Sequence, residues 1–205
     1  MTSSPTTRKH TSRKVKALLA GGLVLGVGAA VTLAAWTDTE WATGNFSAGT
    51  FGIEGSTDGA AYDDHETVGE AATLTFNLTG GENLSPGDVT SAPFALRTIV
   101  GTSYGASVEL TSAVSDGPNA ANLTYGIVTV ADAAACNPEA TGTAIVPAGT
   151  ALDSFAGAAT FDLAAATTEA AGTAVTLCFQ VAAGDDLIQG ETASASWEFI
   201  GTSVE

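Results

Sequence analysis

The sequence predicts an all-β protein, an antiparallel jelly-roll-like β-sandwich preceded by an N-terminal signal peptide, and three observations carry that expectation. Beyond residue 54 apolar side chains recur with a period of two, no long segment shows a helical period, and clusters of Gly, Pro, Asp and Ser separate the apolar runs. Ahead of that region a basic leader runs into a charge-free apolar stretch, the pattern of an export address. Two cysteines lie beyond that address, as a disulfide in an oxidising compartment requires. The organisation expected is a signal peptide over 1–34, an N-terminal strand segment over 35–54 that a neighbouring subunit could receive, and the sandwich domain over 55–205.

Residues 1–16 are polar and basic, and residues 17–35 carry no charge. Small residues at Thr32 and Ala34 fit cleavage after Ala34, with Ala35 the next choice. The apolar run is also long enough to span a bilayer, so an uncleaved anchor is the alternative. Its glycines favour cleavage, because they make a poor lipid-facing helix end. About 170 residues then remain, the size of one domain with one core.

The junction that follows, residues 34–54, places Trp36, Trp41, Phe46, Phe51 and Ile53 on a newly made terminus. Each aromatic can remove about 150–250 Å² from water, so the segment needs a place of burial. The four aromatics are spaced by five, which alternates sides in an extended strand and cannot put all of them on one face. A seat between two subunits buries both faces; pairing within its own subunit as an ordinary first strand is the alternative.

The strongest strand patterns are LTFNL (Leu74, Phe76, Leu78), AVTLCFQV (Val175, Leu177, Phe179, Val181) and ASASWEF (Ala193, Ala195, Trp197, Phe199). Further strands are expected over 92–100, 105–114, 123–131 and 159–164, which are rich in Val, Ile, Thr and aromatics. Turn chemistry at Ser85–Asp88, Asp116–Asn119, Pro147–Gly149 and Gly184–Asp186 punctuates them, and the Ala-rich piece Leu163–Ala171 suggests a short helix. Cys136 and Cys178 are expected to pair, with two free buried thiols as the alternative. The bridge would close a loop of roughly 43 residues, worth about 4 kcal/mol on the chain-entropy model. Cys178 falls out of register with Leu177 and Phe179, so it should face the other side of its sheet.

Charge is partitioned sharply. Five of six basic residues precede residue 17, and all 22 acidic ones follow Ala35, so the exported part carries 1 − 22 = −21 with Arg97 its only cation. That surface excludes nucleic acid as a partner, since phosphate contacts need Lys and Arg.

Several residues resemble a known group in order and spacing. An apolar run ending in Ala34-Ala35 is followed by Trp36 and Asp38, then the Asn45-Phe46-Ser47-Ala48-Gly49-Thr50-Phe51 box. The Leu84-Ser85-Pro86-Gly87-Asp88 loop and a closing strand with Ser194, Ser196, Trp197 and Phe199 complete the match. In these the chain resembles the TasA/camelysin family of secreted proteins, whose signal peptides are removed by a dedicated SipW-type signal peptidase. The likeness covers about 90 N-terminal residues and the last 25, and the middle carries none of it. It implies a jelly-roll subunit of extracellular fibres in a biofilm matrix or at the cell surface. The implied partners are further copies of itself, head to tail, with matrix or cell-wall components beside them. The segment after the cleavage site would be inserted as a strand into the next subunit.

Catalysis is not expected, and neither is a cofactor or metal site. Camelysin-like proteins have been classed with metallopeptidases, but a zincin helix needs H-E-x-x-H. Here His65-Glu66-Thr67-Val68 is followed by Gly69, and His65 is the only histidine of the exported part. Asp63, Asp64, His65 and Glu66 therefore read as a solvated loop. No G-x-S-x-G elbow offers a serine nucleophile. The functions left are a polymerising structural protein, a monomeric surface-binding module and, least favoured, a metallopeptidase.

Overall fold

The computed structural model describes residues 14–19, 38–45, 48–76 and 83–204, and among these the part from Ile53 onward is an antiparallel β-sandwich. Its strands are β1 (Ile53–Ser56), β2 (Val89–Thr98), β3 (Gly105–Asp116), β4 (Leu123–Val130), β5 (Ala144–Ala151), β6 (Phe161–Leu163), β7 (Val175–Ala183) and β8 (Ser194–Val204). One sheet has the order β1-β2-β7-β4-β5, and the other β6-β3-β8. The chain divides into two compact units, Met1–Phe46 and Ser47–Glu205, and the sandwich belongs wholly to the second. In the first unit residues 14–19 are helical and residues 38–45 have no regular secondary structure.

The period of two accounts for the core. In β7 Leu177 and Phe179 are buried beside Ile127 and Tyr125 of β4, while in the facing sheet β3 presents Ala106, Val108 and Leu110. Trp197 and Phe199 of β8 enter from the same side. The Trp197 ring centroid lies 4.9 Å from that of Phe179 and 5.3 Å from that of Tyr125, and Phe199 sits 6.2 Å from Phe179. Tilted and edge-on packing of this kind adds to the area term because the rings' quadrupoles attract. The Tyr125 hydroxyl, carried into the core, donates to Ser154 O at 2.7 Å, so its polar end is satisfied.

The other face of β7 is covered as well. Cys178 is bridged to Cys136, which holds the 131–143 loop against the outside of the sheet. Gln180, next on that face, donates from Nε2 to the carbonyls of Pro138 and Ala140 at 3.0 Å and of Asn137 at 3.2 Å. The bridge therefore exists and faces away from Leu177 and Phe179, as alternation requires. The loop comes so close to β4 that a Cβ on Gly142 would run into the Thr129 carbonyl oxygen, which only glycine avoids.

Three expectations need correction. LTFNL is no strand where it is described: residues 71–76 have no regular structure, although Leu74 and Phe76 still pack on the core. Apolar alternation secures burial, but a ladder also needs a partner edge, and among the described residues none pairs with 71–76. The Ala-rich 163–171 stretch forms no helix. Leu163 ends β6, Thr98 Oγ1 donates to Ala164 O at 2.7 Å, and Ala166 N bonds Thr102 O, so tertiary backbone bonds outbid alanine's propensity. Finally, Pro147–Gly149 lies inside β5 rather than separating strands. The strand tolerates Pro147 because it is an edge, and its register against β4 shifts between Tyr125 and Ile127 and again before Val128.

Candidate assembly surface

The residues expected to mediate assembly are met in three different states. Trp36 and Phe46 lie outside the described residues, as do the cleavage positions Ala34 and Ala35. Trp41 lies in the irregular 38–45 segment and is 93% exposed, an unusual state for the largest apolar side chain. Phe51 is 43% exposed. Ile53, in contrast, is the first residue of β1 and pairs with Thr98 of its own chain. It packs on the core so closely that it fills the room a Cβ on Gly201 of β8 would need. The pairing within one subunit thus claims Ile53–Ser56, and the sandwich begins two residues before the boundary expected at residue 55.

β1 is fastened to the sandwich by Arg97, the sole Lys or Arg after Lys16. Arg97, opposite Glu54 in the ladder, gives Nε–Oε1 at 2.6 Å, and its guanidinium lies 3.7 Å over the Tyr62 ring centroid. Opposite charges directly across a ladder and a cation over an aromatic face are both favourable. Beyond β1 the chain turns at Ser56–Ala61, where Asp58 accepts from Ala60 N, Ala61 N and Ser56 Oγ. Those bonds hold its carboxyl below the usual carboxylate range. Asp63 then exchanges both backbone bonds with Gly55 at 2.9 Å, covering the outer edge of β1. Sequence reasoning missed this clamp, although Arg97's isolation among 22 acids was a signal that it had a fixed partner.

His65 sits half-buried beside that bridge, at a hollow of about 170 Å³ lined by Ser56, Thr57, Tyr62 and Asp63 among others. Asp63, Asp64 and Glu66 around it are exposed. Among the described residues no three His, Cys, Asp or Glu side chains are grouped to hold a metal ion. The Leu84–Asp88 loop is a tight turn: Asp88 N bonds Ser85 O, Ser85 N bonds Asp88 Oδ2, and Gly87 takes a φ of 84°.

Among the described residues the sandwich has four edge strands, and they differ in how much backbone they offer. β6 has three residues, β1 has four and is bridged by Asp63, and β5 is interrupted by Pro147. β8 runs for 11 residues, paired among the described residues only to β3, with no proline and no lysine. Long, regular, unblocked edges are the ones that add strands.

At the far end of the molecule Asn119, buried and missed by sequence reasoning, ties the 117–122 turn to the 188–192 loop. It donates from Nδ2 to Ile188 O and Glu191 O and accepts from Ile188 N at Oδ1. This fixes the loop that leads into β8. No protein-family model matches the chain, and no curated protein matches it. No helix among the described residues is long and apolar enough to cross a membrane.

Proposed function

We propose that this chain is a secreted, non-enzymatic structural subunit that polymerises head to tail into extracellular or cell-surface fibres of the TasA/camelysin type, by donating its N-terminal segment to a neighbour. The observation that carries the reading is Trp41, almost wholly exposed in a segment without secondary structure that precedes the sandwich. Burying such a side chain contributes about 2–3 kcal/mol, and ladder bonds must add to it to offset the ordering of a dozen residues. The Cys136–Cys178 bridge supports an oxidising, extracellular destination. A dedicated signal peptidase would cut after Ala34 or Ala35 and free the segment.

A monomeric surface-binding module is the second reading, favoured by β1, which shows that the chain after Gly52 completes its own sheet. Negative-stain microscopy separates the two. The mature chain should form filaments, a chain beginning at Gly52 should fold and stay monomeric, and a synthetic Ala35–Phe51 peptide should shorten the filaments of the mature chain. Filaments from the truncated chain equal to those of the mature one would sink strand donation.

A further inference from the structure

We propose that the acceptor is the outer edge of β8, and that residues 36–46 of a second copy lie antiparallel to it with Trp41 turned into the sandwich. This rests on the polymerisation reading above and names the partner surface it needs.

Strand order is the first argument. An eight-stranded jelly roll pairs its second, seventh, fourth and fifth strands in one sheet and its first, eighth, third and sixth in the other. Here β2-β7-β4-β5 and β8-β3-β6 reproduce both runs, but the first strand is out of place. β1 has joined β2, and among the described residues no strand occupies the seat beside β8. The burial of β8 agrees: none of its 11 residues is buried. Its inward aromatics Trp197 and Phe199 stay partly exposed, whereas Val108 and Leu110 on the neighbouring β3 are at 0% and 1%.

Reach is the second argument, and it selects a second copy as the occupant. Thr50 bridges Thr102 in the turn after β2, at the end of the sandwich where Val204 pairs with Gly105. A strand antiparallel to β8 must start at that end and finish beside Ser194, about 35 Å away. From there residues 47–49 of the same chain would have to return to Thr50. Three residues span only about 11 Å, so a chain's own 36–46 segment cannot fill that seat antiparallel. A copy stacked on the Ser194 end meets no such limit: its segment runs the length of β8 and leaves next to its own sandwich. That contact is heterologous and propagates as a filament.

The face follows from charge. In an extended 35–46 segment Trp36, Asp38, Glu40 and Phe46 share one side, and Thr37, Thr39, Trp41, Thr43 and Asn45 share the other. Only the second side is free of carboxylates, so it faces the core. With Trp41 opposite Phe199, Ala42 lies opposite Glu198 and Glu40 opposite Ile200. A slip that puts Glu40 against Glu198 is disfavoured by like-charge repulsion.

Cysteine cross-linking of the mature chain tests this. Ala42→Cys is combined in turn with Ser196→Cys, Glu198→Cys and Ile200→Cys on the outward face of β8, which tolerates a slip of two residues. Ala148→Cys on β5 and Asp162→Cys on β6 stand for competing edges. Filaments should give a ladder of covalent oligomers on a non-reducing gel from the β8 positions, strongest at residue 198, and none from the other two. Filaments whose ladder comes from residues 148 or 162, or that give none from β8, would overturn the acceptor while leaving polymerisation standing. Absence of filaments from the mature chain would overturn both.

Discussion

Tyr125 is the residue in which core and polar accounting meet, because its ring packs at a tilt against Trp197 while its hydroxyl ends on Ser154 O. Tyr125→Phe keeps the ring and strands that carbonyl, so urea denaturation should show a loss of about 1–2 kcal/mol. Burial pushes the phenol's pKa up, opposed in part by the Trp197 side chain. A raised folded-state pKa contributes stability that is full below the unfolded value, near the ordinary 10.0, and lost as pH rises through the folded one. The wild-type melting temperature should therefore fall more steeply above that pH than that of Tyr125→Phe. Equal slopes in thermal melts would remove Tyr125 from the alkaline limb. Asp58 works in the opposite direction: its depressed carboxyl stabilises above the unfolded pKa and ceases to as pH falls through the folded one.

At the scale of elements, the 131–143 loop is bound to β7 by one covalent bond and the Gln180 carbonyl contacts. The bridge spans 42 residues, so replacing both Cys136 and Cys178 with alanine should cost about 4 kcal/mol in the chain-entropy model. Equilibrium denaturation checks it, and Gly142→Ala, which drives a methyl into the Thr129 carbonyl, should loosen the same loop without touching the bridge. If the double alanine chain loses less than about 1 kcal/mol, the Gln180 contacts rather than the bridge hold the loop. Loss of the bridge should leave β8 and its edge in place, since β8 pairs with β3 in the other sheet.

For the whole molecule the dominant fact is the charge of −21 from Ala35 onward, set against a single Arg97 that is already engaged with Glu54 and Tyr62. Self-repulsion of that size opposes both the compact fold and any contact between copies. Screening over a Debye length of about 8 Å at physiological salt relieves both. The melting temperature of the chain from Ala35 onward should rise between about 10 mM and about 500 mM sodium chloride, and the filament growth proposed above should accelerate over the same range. A melting temperature indifferent to salt would mean that the carboxylates are too dispersed to matter.

Period and turn chemistry by themselves determined the sandwich and most of its strands, because each depends on local alternation, and two cysteines in one β domain pointed to the bridge between them. They also marked Trp41 and its neighbours as apolar groups in need of a partner. Only the tertiary structure decided which alternating segments obtain a ladder. Leu74 and Phe76 alternate as well as Leu177 and Phe179 do, yet one pair packs from a loop and the other from a strand flanked on both sides. The same holds for Ile53, which pattern left equally suited to its own sheet or a neighbour's, and which the Glu54–Arg97 contact across 43 residues of sequence assigns to its own. Pairing is a property of two distant segments at once, and a free edge such as that of β8 exists only once every other strand has taken its place.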